Sequence, residues 1–174
     1  MIRTFQMRRP FSNACVALAL TAVVLTAACG DPTPGMIEGD AYLALEIGHE
    51  RDLTGLPVYL VPEIEDFDSI LGKLCPTREG APATSAPLEA QHEAAMRGRA
   101  LLLSGLTARA DTTDAEARFS IAGIEPGWYR LWADTMVGDA RWTWLARVRI
   151  RGGDTVRVNL TNGNPDENPF RCRS

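Results

Sequence analysis

Few residues in this chain have the types and spacing that chemistry requires. There are four cysteines, two histidines and one lysine in 174 residues. The cysteines are Cys15, Cys29, Cys75 and Cys172, and a thiol can be acylated, oxidised to a disulfide or bound to a metal. His49 and His92 lack the paired His/Cys spacing of a zinc site and have no recognisable nucleophile close in sequence. No serine sits in a G-x-S-x-G elbow. Glu63, Glu65, Asp66 and Asp68 could supply calcium with oxygens, or could instead occupy the first turn of a helix, where the dipole favours acids. Trp128, Arg130 and Trp132 share one face of an alternating stretch, as a sugar-stacking platform would. These residues amount to no catalytic site, no metal site and no cofactor site.

Cys29 stands in a particular setting. Arg3, Arg8 and Arg9 precede an apolar run, Ala14 to Ala28, and no acid occurs before Asp31. That is the pattern of a signal peptide; a membrane-spanning helix would need about 20 apolar residues. L-T-A-A-C-G, residues 25–30, resembles the lipobox of bacterial lipoproteins. The resemblance implies that residues 1–28 are removed, that Cys29 carries a diacylglyceryl group, and that the protein meets the membrane through this lipidated cysteine. R-R-P-F, residues 8–11, resembles a twin-arginine export core, and a general-secretion signal is equally compatible with it. Gly30, in place of the Asp that retains some such lipoproteins at the inner membrane, implies the outer membrane, on its periplasmic or its surface face.

Cys75 and Cys172 then remain as an even pair in an exported chain, and a disulfide between them is expected. Losing residues 1–28 removes three arginines, so 18 basic against 22 acidic residues becomes 15 against 22, a formal charge of −7. Such a domain is a poor nucleic-acid binder. With no basic run beside Cys29, it is not expected to lie flat on anionic lipid. A glycan or another envelope protein is the partner class left.

The elements that position these residues are mostly strands. Residues 29–37 read as the lipidated terminus and an extended Pro-containing tether. From Gly39, alternation puts Ala41, Leu43, Leu45 and Ile47 on one face; G-H-E-R-D reads as a turn, and L-P-V-Y-L-V, residues 56–61, as the next strand. Turn chemistry recurs at 114–117, at Pro126-Gly127 (a type II turn), at V-G-D 137–139 and at R-G-G-D 151–154. Trp142 and Trp144 share a face with Ala146, Val148 and Ile150 and are assigned to the core. R-V-R-I-R, residues 147–151, sets three arginines on one strand face, read as solvated.

The stretch A-D-T-T-D-A-E-A-R-F-S-I-A-G-I-E-P-G-W-Y-R-L-W-A-D, followed by a V-x-I strand, G-D-T-V and V-x-L, resembles the carboxypeptidase regulatory-like domain. The resemblance implies an all-β, seven-stranded, antiparallel Greek-key sandwich of the transthyretin-like kind over residues 38–161, and a non-catalytic binding or structural module. The family pattern has Gly or Asn where this chain has Glu116 and Ala117. A related group of stalk domains carries a Lys–Asn isopeptide bond, which Lys73, the single lysine, is wrongly placed to make.

Residues 62–105 interrupt the sandwich. Ile64, Phe67, Ile70, Leu71 and Leu74 recur at helical spacing, and L-E-A-Q-H-E-A-A-M-R-G-R-A-L-L-L is helical in composition. The segment reads as a helical lid on one sheet, with residues 162–174 as a C-terminal tail. A hydrolase would have to be built on this insertion. Trp128 and Trp132 are open to two readings: burial under the lid, or sugar contact.

Overall fold

A computed structural model describes residues 33–46, 49–76 and 87–172, without the side chains of 45, 46 and 49. The leader segment, Cys29, Ile47 and the side chains of Leu45 and His49 lie outside the described residues. Nine strands and two helices follow in order: β1 Gly35–Asp40, β2 Tyr42–Glu46, β3 His49–Asp52, β4 Pro57–Pro62, α1 Phe67–Gly72, α2 Leu88–Leu106, β5 Arg109–Thr112, β6 Arg118–Ile124, β7 Gly127–Val137, β8 Ala140–Ile150 and β9 Thr155–Arg157. They form a sheet ordered β6-β1-β9, a sheet ordered β5-β4-β7-β8, and a β2-β3 ribbon.

The all-β fold with a helical insertion is as expected, with differences in detail. Gly35 and Met36, read as tether, already pair within β1, and His49–Asp52, read as a turn, forms β3 against β2. Not every pair is antiparallel: β9 lies parallel to β1, because the chain crosses from β8 into the other sheet and enters it in β1's direction. Gly127 is not the positive-φ residue of a type II turn, since it already opens β7 opposite Ile150; the left-handed position is Gly123, at φ +69°. Tyr129 closes that corner by donating its hydroxyl to the Glu125 carbonyl at 2.9 Å.

The turn before β6 shows how Gly or Asn is replaced. Asp114 accepts the backbone N–H groups of Arg118 at 2.8 Å and Glu116 at 3.0 Å through one carboxylate oxygen. Those bonds hold the loop, and Ala117 takes φ +56° while almost wholly buried. At the next hairpin the two-residue loop Gly138-Asp139 has its positive φ at Gly138, the type II′ pattern that suits strand twist.

Strand alternation builds two apolar layers. Ile37, Leu43, Leu60, Leu131, Trp144 and Ile150 are among the residues that fill the space between the sheets. On the outer face of β4, β7 and β8, Val61, Trp132 and Leu145 meet Phe67 and Leu71 of α1 and Leu103 of α2. The insertion is therefore a lid on the four-stranded sheet. Cys75, just after α1, is bridged to Cys172 across 97 residues with Cα atoms 5.7 Å apart. This is the expected pairing, and it ties the tail to the lid.

Sheet packing is tightest at Gly39, where an added Cβ would run into the backbone carbonyl of Val158. Gly39→Ala should therefore lower stability by more than the roughly 1–3 kcal/mol typical of overpacking, because backbone and not a side chain must move. The urea midpoint of the variant checks this, and a wild-type midpoint would show that the strands have room.

Candidate functional site

The outer face of β7 presents Trp128, Arg130 and Trp132 in a row, and the structure gives each a different surrounding. Trp132 is 6% exposed and stacks on Tyr59, with ring centroids 4.7 Å apart, beneath the lid. Arg130, 8% exposed, makes a two-pronged pair with Glu63 at 2.7 and 2.9 Å, reaches Asp68 at 3.4 Å, and lies over the Phe67 ring. Trp128 alone is open, at 44%. The platform expected of Trp128, Arg130 and Trp132 is thus divided: Trp132 belongs to the core beneath the lid, and Arg130 is committed to acids of the insertion. A sugar could reach only Trp128. The physical reason is the lid's length, which covers the middle of β7 and stops short of its first residues.

Around Trp128 the neighbours are cationic. Arg147 places its guanidinium 4.2 Å from the ring centroid and Arg149 places its own 5.5 Å away. These are the arginines of R-V-R-I-R, on the cross-strand neighbour of β7. Arg147 also meets Glu63 at 3.5 Å, whereas Arg149 has no carboxylate partner among the described residues. Exposed cation–π contacts of this kind contribute about 0.5–1 kcal/mol each.

The residues that sequence reasoning missed lie beneath α2. Met96, Arg99 and Leu103 form the buried seam of that helix, so an arginine occupies an apolar position. Arg99 is 1% exposed and meets Asp166 of the tail at 3.6 Å, and none of its three guanidinium nitrogens has a hydrogen-bond partner among the described residues. Burial pushes its pKa below the ordinary arginine value, against the pull of Asp166 and then Asp134. Asp166 also holds Arg171 at 3.1 Å, and its N–H donates to Thr143 of β8 at 2.7 Å. Asp134 on β7 is drawn into the same field: burial raises its carboxyl pKa, and Arg141 and Arg99 oppose the shift. The available signal was the Met96, Arg99, Leu103 spacing itself, which puts the arginine on the helix's inner face.

The remaining nominated groups are dispersed. Glu65 and Asp66 are exposed ahead of α1, and Asp66 adopts φ +60° at its N-terminus. His92 meets Phe170 edge-on, with centroids 5.7 Å apart. Lys73 is exposed at the end of α1. Among the open grooves of the described surface, two are lined in part by charged residues. One, of about 490 Å³, is lined by Glu38, Asp40, Asp111, Asp114 and Arg118 among others. The other, of about 420 Å³, lies beside Arg109, Glu125 and Tyr129. In the first, Asp111 and Asp114 are already accepting backbone N–H groups of β6 and its turn.

No described protein family matches the chain. Nor does any curated protein match it by sequence. Among solved structures it is similar to a candidate carbohydrate-binding protein from Pseudomonas aeruginosa, at 20% identity over 78% of this chain and 93% of the other, with a TM-score of 0.45. A minor pilin of Streptococcus agalactiae is similar at 16% identity over 74% of this chain and 44% of that one, TM-score 0.38. The major pilin subunit of Bacillus cereus follows at 12% identity over 75% and 30%, TM-score 0.38. At these values nothing about ligand, assembly or activity passes to this chain, and the carboxypeptidase regulatory-like resemblance rests on sequence pattern.

Two outcomes test this description. Trp132→Ala should cost about 3–5 kcal/mol by emptying the space under the lid, whereas Trp128→Ala should cost no more than about 1–2 kcal/mol, the loss of two exposed cation–π contacts; chemical denaturation of both decides whether the row is divided as described. The second concerns pH. A carboxyl whose folded pKa is raised favours the native state below the unfolded pKa, and that advantage is lost as pH rises through the folded pKa. Asp134→Asn should therefore match the parent at acidic pH and become the more stable of the two as pH climbs past the carboxylate range. Parallel curves from acid to neutral pH would refute the assignment.

Proposed function

We propose that this chain is an exported, lipid-anchored protein of the cell envelope whose β-sandwich serves as a non-catalytic structural or binding module. The observation that carries the reading is the use made of the insertion's chemistry. Its acids hold Arg130, its buried arginine holds Asp166, and its cysteine holds Cys172. The first fastens the lid to the sheet and the other two fasten the lid to the tail, and none of these residues lines either groove described above. The disulfide supports export, because such bonds persist in oxidising compartments and are rare in the cytosol.

The resemblance of L-T-A-A-C-G to a lipobox supports anchoring through Cys29, a thiol that the Cys75–Cys172 bridge does not use. Two or more acyl chains on one cysteine give durable attachment, since each buried methylene contributes about 0.8 kcal/mol. Gly30 favours the outer membrane. A glycan or an envelope protein is the partner class that the exposed end of β7 and the acidic surface suit.

Cys29→Ser should leave the protein unacylated and shift it from the detergent-soluble membrane fraction to the soluble one. Fractionation with intact-mass measurement reads this directly, and an unchanged membrane share would rule out the lipid anchor.

A further inference from the structure

The described chain begins at the same end of the sandwich as the open tryptophan. The Thr33 carbonyl accepts the N–H of Gly153 at 2.9 Å, and the N–H of Met36 donates to Asp154 at 2.8 Å, so the first residues are fastened to the 151–154 turn. Gly35 abuts Ile150, the last residue of β8. Opposite Ile150 is Gly127, and opposite Arg149 is Trp128. Cys29 precedes Thr33 by four peptide steps, which span at most about 15 Å in any conformation. A lipid on Cys29 therefore confines this end, with Trp128, Arg149 and Arg151, close to the bilayer surface.

The chemistry of that end selects which side meets lipid. Trp128 is the exposed tryptophan, flanked by Arg147 and Arg149. Arg149 and Arg151 are exposed and have no carboxylate partner among the described residues. Of the nearby acids, Glu63 is occupied by Arg130 and Arg147, and Glu125 lines the groove beside Arg109, which opens on the inner side of β7 with Tyr129. Asp154 is half-buried in the turn. The rest of the domain carries a net negative charge, so an anionic surface favours this approach over one through an acidic face.

We propose that the lipidated protein rests this end on the bilayer, with Trp128 in the headgroup layer and Arg147, Arg149 and Arg151 against lipid phosphates. The occupant of the exposed β7–β8 face is a phospholipid surface carrying anionic headgroups. This rests on the lipid-anchor reading above. Tryptophan suits the position because its ring is amphipathic and collects at membrane–water interfaces. The arginines come from a strand more than a hundred residues beyond Cys29, so a basic patch absent from the sequence around the anchor is supplied by the fold.

The test uses the full acylated protein reconstituted in phosphatidylglycerol–phosphatidylcholine vesicles containing lipid brominated near the headgroup end of its chains. Tryptophan emission of the wild type should be partly quenched, and Trp128→Phe should abolish that quenching. Arg149→Glu with Arg151→Glu should weaken it several-fold at low salt, each arginine being worth about fivefold in surface affinity. Equal quenching in the wild type and Trp128→Phe, with intact mass showing acylation in both, overturns the docking and leaves the anchor standing. An intact mass without acyl chains on Cys29 overturns the anchor reading and, with it, the docking. A Trp128 emission change on adding soluble polygalacturonate to the Cys29→Ser protein, with no quenching by lipid in the acylated form, overturns the proposal in favour of an acidic glycan.

Discussion

The middle of β7 is apolar on both faces, and the rest of the architecture answers that constraint. Leu131 and Ala133 point into the sandwich while Trp132, between them, points out, and all three are buried. An indole of this size left against water would forfeit most of its burial free energy, on the order of 25 cal/mol per Å² over some 150–250 Å² of side chain. A third layer is therefore required on the outer face. The insertion supplies it with Phe67, Leu71 and Leu103, and Leu145 on β8 completes the cluster. The lid is thus a structural necessity of the sheet beneath it.

A lid of two helices that leaves the sheet after Pro62 and rejoins it at Arg109 is held by the chain only at its two ends and needs fastening between them, and the fastenings here are polar. Arg130 reaches up from β7 to Glu63 and Asp68, and Arg171 of the tail shares Asp68. Arg99 reaches down from α2 to Asp166, which the tail holds beside β8. The disulfide then fixes the tail to the residue following α1. Buried ion pairs of this kind gain little net stability over well-packed apolar residues, because desolvation offsets the attraction, yet removing one partner is costly. Their effect is positional: Arg99 and Asp166 come within 3.6 Å of each other only when helix, tail and sheet occupy one arrangement.

Much of this could be read from residue order, because strands and turns announce themselves locally. Alternation at 41 and 43, the Gly138 hairpin and the pairing of Cys75 with Cys172 all follow from short-range pattern or simple counting. What escaped was whatever depends on a distant partner. Gly35 and Met36 look like linker until β6 and β9 flank them. Gly127 looks like a turn residue until its pairing with Ile150 makes it the first residue of a strand. Trp128 and Trp132 are equivalent by spacing, and only the extent of a lid folded from another segment separates them. Arg99 was hidden for a different reason: an arginine in an otherwise mixed helix does not register as buried until Asp166, 67 positions later, is seen beneath it.

The same dependence on distant partners bears on how charge should be read in a tethered domain. A basic cluster matters to a surface when it lies within reach of the anchor in space, and sequence adjacency is only one way to achieve that. Here the first described residues are pinned to the turn that follows β8, so the arginines of β8 lie at the end where the described chain begins although they stand far along the sequence. In the lipid-anchored form proposed above, the pairing of β1 from Gly35 leaves only the residues between Cys29 and Thr33, and not the whole of 29–37, as spacer. In that form a reach of at most about 15 Å is within two Debye lengths of about 8–10 Å, and the orientation of the domain follows from which side chains surround its point of attachment.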